Sequence, residues 1–200
     1  TNTMFWLRTG IGVMRFVHPD DTNRDEKEEY IRKKAEPAIR YAEILLIYAE
    51  ALNELTGNYN IASWDEETQY TIQRNIDEMK KGIQPIRIRA GIPDYTRSEY
   101  EDQDLFREKL KRERQIELMG EGHRYYDIRR WKDAEVEESL PIYGCNTLMT
   151  EKWRDVFHVP VAIPSLPTNF SRKMYFWPIS HSELKRNKML TQNPGWTYND

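Results

Sequence analysis

The sequence predicts a mainly α fold, helical hairpins joined by irregular loops and a few short strands, and three observations predict it. Apolar residues recur at helical spacing in three separate stretches, around Tyr41–Leu55, Ile72–Ile83 and Phe106–Leu110. Between Asp133 and Arg172, Pro141, Gly144, Pro160, Pro164 and Pro167 deny long regular elements. Period-two alternation is confined to short pieces near Phe5–Phe16 and Val159–Ile163.

Taken in order, Phe5, Leu7, Ile11, Val13 and Phe16 suggest short extended pieces around Gly10 and Gly12. Asp20 to Lys34 is a charged loop in which Asp20, Asp21, Asn23 and Asp25 supply turn chemistry. Such oxygens invite a calcium reading, but no glycine follows at the offset a calcium loop requires, and we expect no metal. The first strong helix should start near Pro37 and end at Gly57. Tyr41, Leu45, Tyr48, Leu52 and Leu55 form one stripe and Ala42, Leu46 and Ala49 an adjacent one, an arc wide enough to be buried between neighbours. Ser63-Trp64-Asp65-Glu66 fits a capping box opening a second helix, with Ile72, Ile76, Met79 and Ile83 inward and Gly82 and Pro85 weakening its end. Gly91-Ile92-Pro93 stops any continuation. Together the two helices make a hairpin of tetratricopeptide-like type, although the full repeat consensus is missing. Ser98 to Glu101 supplies a capping box for a long charged helix running to about Met119. Ser180 to Glu183 caps a last short helix through Arg186, and Asn193-Pro194-Gly195-Trp196 forms a turn. The chain thus reads as one region over residues 1–200: an extended lead-in over 1–36, a helical scaffold over 37–132, and an irregular part with a closing segment over 133–200.

Composition narrows the function. Charged residues make up 32% of the chain and mean hydropathy is −0.85, which describes a well-solvated surface. A net charge of −3 argues against nucleic acid as partner, because neutralising phosphates demands a concentrated positive field. Cys145 stands alone, so no internal disulfide is available and no Cys/His cluster has zinc spacing. No run approaches the roughly 20 apolar residues of a membrane-spanning helix. The start, TNTMFWLRTGIG, has neither the charged nor the uninterrupted apolar part of a secretory signal.

The most informative stretch is Arg112–Trp131, RERQIELMGEGHRYYDIRRW, because it puts charge where a helix should be apolar. Phe106, Leu110, Glu113 and Glu117 fall at i, i+4, i+7 and i+11, so a greasy stripe ends in two carboxylates. Burying a carboxylate without a partner costs several kcal/mol, of order the desolvation penalty of one ion. Gly120 and Gly122 break the helix, and Arg124, Arg129 and Arg130 follow. We therefore expect Glu113, Glu117 and Glu121 to pair with Arg124, Arg129 and Arg130 across the corner as a structural network.

The same residues carry a resemblance. Glu113, Glu117, Glu121, Gly122, His123, Arg124, Asp127, Arg129, Arg130 and Trp131 resemble the signature of the SusD/RagB family. RYAEILLIYAEALNELTG, from Arg40 to Gly57, is similar to a helix of that family, and MYFWPISHSELKRNKMLTQNPGW, from Met174 to Trp196, to its closing motif. The resemblance implies a partial SusD-like fold, the C-terminal portion of an outer-membrane nutrient-binding lipoprotein. It further implies non-catalytic binding of an oligosaccharide or other nutrient and delivery to a SusC-like TonB-dependent transporter. By the same resemblance, the protein sits on the external face of the outer membrane, held by a lipid on an N-terminal part that precedes this chain and packs with it, and it needs no cofactor.

Two rival functions stand beside this one. A helical-repeat interaction module would bind peptides beside Arg40–Gly57. A glycoside hydrolase would use Glu113 and Glu117, whose spacing suits two acids flanking a bond, although a general acid needs a raised pKa and arginines lower it. His123 lacks any nucleophile motif nearby and reads as structural. Sugars stack on flat faces of Trp and Tyr, so Trp64, Tyr143, Trp153, Tyr175 and Trp177 are all considered. Trp131 and Trp177 fall inside the family motifs, which points to packing. Tyr143 and Trp153 lie in the irregular region and remain the ligand-binding candidates.

Overall fold

Thirteen residues of a first helix, α1 (Tyr41–Asn53), carry the core of the helical part of this computed structural model. The structure describes residues 7, 9–13, 15, 17–18, 20–23, 29–30, 32–33, 37–147, 155–164, 166 and 168–197. The chain forms two units, one of Phe16–Arg124 and one of Thr1–Arg15 with Tyr125–Asp200.

In the first unit, α1 begins four residues later than its proline suggests, because Arg40 is its extended N-cap residue and Pro37–Ile39 are irregular. It buries Ala42, Leu46, Ala49, Leu52 and Asn53, while Tyr41 is 75% exposed. The alanine stripe is therefore inward together with Leu52, with Leu45 and Leu55 packed partly against the core, whereas Tyr41 and Tyr48 of the other stripe face out. α2 (Ile76–Arg89) packs on it, starting at Asn75, whose side chain accepts the Glu78 N–H at 3.1 Å. Contacts run Asn53 to Arg74, Tyr48 to Glu78, and Ala49 and Leu45 to Gly82, so the helices are antiparallel. Gly82 sits against α1 so closely that an added Cβ would lie 2.5 Å from the Leu45 carbonyl oxygen. It is a contact glycine instead of a weak point. Pro85 deprives the Lys81 carbonyl of a donor, yet the helix runs on to Arg89.

What joins α1 and α2 is a β-hairpin, not a helical turn: β3 (Tyr59–Ala62) pairs antiparallel with β4 (Gln69–Ile72). Two shorter strands precede them, β1 (Thr22–Asn23) and β2 (Glu29–Tyr30), also antiparallel. The expected capping box at Ser63–Glu66 is the hairpin's turn instead. Ser63 Oγ bonds Asp65 and receives the Thr68 N–H at 3.0 Å, using the same side-chain chemistry to close a loop. In the charged loop, Asp20 takes Arg32 Nη2 at 2.8 Å and Asp21 takes the Arg32 N–H at 3.0 Å. Asp25 lies outside the described residues.

Beyond α2, Thr96 and Glu99 form the capping box of short α3 (Arg97–Glu101), two residues before the expected position. Asp102 then caps α4 (Gln103–Glu117), accepting the Leu105 N–H at 2.9 Å. Tyr100, Phe106 and Leu110 close the core with Met79, Ile83 and Ile86. Buried Asn53 ties three elements: its amide donates to the Gln103 carbonyl at 3.1 Å and its oxygen accepts from Arg74 at 3.0 Å.

α5 (His123–Arg130) follows Gly120 and Gly122, whose φ values of 81° and 82° suit glycine and make the bend the sequence suggests. The second unit continues with α6 (Ala134–Glu137), the ladder of β5 (Tyr143–Gly144) with β6 (Val161–Ala162), a 3-10 turn over Arg172–Tyr175, and α7 (His181–Arg186). Ile128, Ala134 and Phe170 form its core, with Met174 and Tyr175 packed against them. Thr9 lies on this unit, accepting the Cys145 N–H at 2.8 Å.

Candidate ligand cleft

The acidic stripe of α4 is interior, as its spacing requires. Glu113 is 7% exposed and accepts from Tyr95 Oη at 2.6 Å and from Arg87, whose guanidinium lies 3.9 Å over the Tyr95 ring. Glu117 accepts from Arg40 Nη1 at 2.9 Å and from Arg89. Glu121 takes Arg40 Nε and Nη2, both at 2.8 Å. Arg40, Arg87 and Arg89, from earlier in the chain, thus supply cations to these carboxylates. Arg129 goes instead to Glu138 at 3.0 Å, and Arg130 donates to Asp127 at 2.9 Å. Arg124 is half-buried and engaged as well. Buried Arg114 adds a link to α1, its Nε 3.8 Å from Glu50.

These environments bear on chemistry. Burial pushes Glu117 up, but the hydrogen bonds from Arg89 and Arg40 outweigh it and hold the carboxyl below the ordinary range. A general acid needs the opposite shift, so Glu117 is suited to holding elements together. The Tyr95 phenol is raised by burial and then by Glu113, which keeps it a neutral donor. His123 Nδ1 stands 3.6 Å from Glu43 Oε1, both side chains mostly buried, a structural contact between α5's first residue and α1.

An aromatic cavity lies elsewhere. A cleft of about 300 Å³ in the second unit is lined by Tyr125, Arg129, Met174, Phe176, Trp177, Pro178 and Trp196. Pro178 biases Trp177 toward extended backbone, and the end of the chain fixes that strip. Asn193 Nδ2 donates to the Trp177 carbonyl at 2.6 Å, while the Gln192 amide exchanges bonds of 2.8 and 2.9 Å with the Ile179 backbone. Gly195 turns at φ 85°, and Trp196 Nε1 donates to the carbonyls of Lys173 and Phe176 at 3.0 and 2.9 Å. The closing motif is thus a clamp on the Trp-Pro strip.

Trp177 is 74% exposed, its ring centroid 6.3 Å from that of Tyr125. The expectation that it packs inside is corrected: its backbone is clamped and its indole forms the rim. Beneath it, the Arg129 guanidinium stacks 3.5 Å over Tyr125. Arg129 Nε is buried and has no hydrogen-bond partner among the described residues. The cleft therefore presents flat aromatic faces, the arrangement that receives the CH face of a sugar ring. Only its exposure distinguishes Trp177 from a core residue, and no spacing rule encodes exposure.

Of the two ligand candidates named from the sequence, Tyr143 is 57% exposed on β5. A neighbouring cleft of about 350 Å³, formed by Ser139, Pro141, Ile142, Ala162, Ile163, Pro164, Leu166 and Thr168, is mostly aliphatic. Trp153 lies outside the described residues. Among the described residues no three His, Cys, Asp or Glu side chains gather as metal ligands, and no helix is long and apolar enough to cross a membrane.

The family model of the SusD family matches residues 1–196. The chain belongs to the SusD family. A curated relative, SusD-like protein P2 of Formosa agariphila, is 31% identical over 162 residues, 79% of this chain and 25% of the relative. Among solved structures, a SusD-like protein from Bacteroides fragilis is 26% identical with a TM-score of 0.66, covering 94% of this chain and 31% of that one. The protein BT4246 is 25% identical with a TM-score of 0.62 over 81% of this chain and 25% of its own. The chain thus spans a quarter to a third of the length of these relatives. Its mainly helical SusD-like architecture agrees with the reading from sequence.

Proposed function

We propose that this chain is part of a cell-surface nutrient-binding protein that captures a glycan without cleaving it and passes it to a TonB-dependent transporter. By the same reading it works at the external face of the outer membrane, held by a lipid on an N-terminal segment. Family membership supports the class of function, and the aromatic cleft of Trp177, Tyr125 and Arg129 is the observation that carries ligand binding by this chain. Tyr143 and Trp153 remain secondary contact residues in this proposal.

The outer face of α1 supports a related point. Tyr41, Ile44 and Tyr48 follow a 3,4 spacing and are 75, 49 and 41% exposed, so α1 is apolar on two faces. We propose that this seam receives helices from the remainder of the family fold, which favours the scaffold reading over an independent peptide-binding module. A glycan array followed by calorimetry tests the ligand proposal. A neutral oligosaccharide is expected to bind, and Trp177→Ala to weaken it about tenfold, the loss of one stacking contact of about 1.5 kcal/mol. Equal affinity in the variant would remove the cleft from the account.

A further inference from the structure

The β3–β4 hairpin is a projecting element that the sugar cleft does not use. Register places Tyr59 and Ile61 opposite Ile72 and Tyr70, so by period two these four side chains share one face. Tyr59, Ile61 and Tyr70 are 46, 45 and 52% exposed, and Trp64 at the tip is 96% exposed. The opposite face is polar, with Thr71 Oγ1 donating to Asn60 at 2.8 Å.

This tip is built and not slack. The Ser63 N–H donates to the Thr68 carbonyl at 2.7 Å, the Glu66 N–H to the Ser63 carbonyl at 2.9 Å, and the Glu67 N–H to Asp65 at 3.2 Å. Glu66 is held at φ 62°, a conformation L side chains disfavour. Folding gains little from an indole held in water beside a strained residue, so the value of the arrangement lies in what meets it.

Charge selects the occupant. Residues 59–72 contain Asp65, Glu66 and Glu67 and no Lys or Arg. An anionic membrane surface and nucleic acid are repelled by such a tip, and a protein surface with an apolar pocket rimmed by Lys and Arg is complementary to it. We propose that the hairpin docks Trp64 into such a basic-rimmed apolar pocket on the transporter partner, an inference that rests on the delivery function proposed above.

The probe is a TonB-dependent transporter of the proposed partner class, purified in detergent and titrated with the full chain at several salt concentrations. Trp64→Ala is expected to weaken binding at least tenfold while leaving the urea midpoint unchanged, because the side chain supports nothing in the fold. Replacing Asp65, Glu66 and Glu67 by Asn, Gln and Gln is expected to flatten the salt dependence. Both variants binding like the parent with the same salt slope would overturn the docking role and leave the transporter reading intact. No binding of the parent at low salt would overturn that reading together with this one.

Discussion

Gly82→Ala sets two effects of known size against each other. In an exposed helix the change adds about 1 kcal/mol of stability, because alanine restricts the unfolded chain and favours helix. At position 82 the new Cβ would stand 2.5 Å from the Leu45 carbonyl oxygen, 2.8 Å from Ala49 Cβ and 3.1 Å from Ala49 N. All three obstacles are backbone or the first side-chain atom of α1, so no rotamer change relieves them. Reaching ordinary contact moves the helices apart by about 1 Å, which forfeits a quarter to a half of each affected dispersion contact. Leu46, Ala49, Met79 and Ile83, all 0% exposed, line that seam. Overpacking of this kind costs about 1–3 kcal/mol, and the loosened seam puts this site at the upper end, from which the helix gain of about 1 kcal/mol is subtracted. The net expectation is a loss of about 2 kcal/mol, read in urea as a midpoint lower by about 1 M at an ordinary slope. Gly57→Ala is the internal control: nothing lies within 4 Å of its added Cβ, so it should be neutral or stabilising by about 0.5 kcal/mol. A Gly82→Ala midpoint equal to or above the parent would refute the close-contact reasoning.

Arg40→Met leaves Glu117 and Glu121 short of their shared guanidinium and should cost about 3–5 kcal/mol by equilibrium unfolding, the ordinary penalty for breaking a buried pair. Thr96→Ala removes the capping box of α3 and should cost about 1 kcal/mol in the same assay. Acid should destabilise the first unit. Glu99 is held to about 2 by the Thr96 N–H and hydroxyl and by Lys109, and Glu117 is held low by its arginines against the upward push of burial. Both carboxyls titrate lower folded than unfolded, so their contributions are complete above about 4.5 and drain as pH falls, that of Glu99 toward 2. Unfolding midpoints at pH 6, 4 and 3 should fall in that order, with a shallower slope in Glu117→Gln; a flat profile would contradict the assignment.

The parts of this fold that sequence reveals are those written in local periodicity. Phe106, Leu110, Glu113 and Glu117 announced a stripe whose polar end must be neutralised, and it is. Gly120 and Gly122 announced the bend, and Asn193 to Trp196 the closing turn. Partner identity was not legible, because Arg40 meets Glu117 across 77 residues and nothing in either neighbourhood encodes that distance. The hairpin was hidden for a different reason: Ser63 followed three residues on by Glu66 is equally a helix start and a tight loop, and only tertiary packing chooses. For Trp177, a motif position says that the backbone is fixed and leaves the direction of the indole open.

The most direct test of the central claim, capture without cleavage, is to titrate the array-selected oligosaccharide into the protein calorimetrically and then recover the sugar for mass analysis. The account predicts a single site that Trp177→Ala weakens about tenfold, and sugar recovered at its starting mass after prolonged incubation. New reducing ends in the recovered sugar, lost in Glu113→Gln or Glu117→Gln, would contradict it.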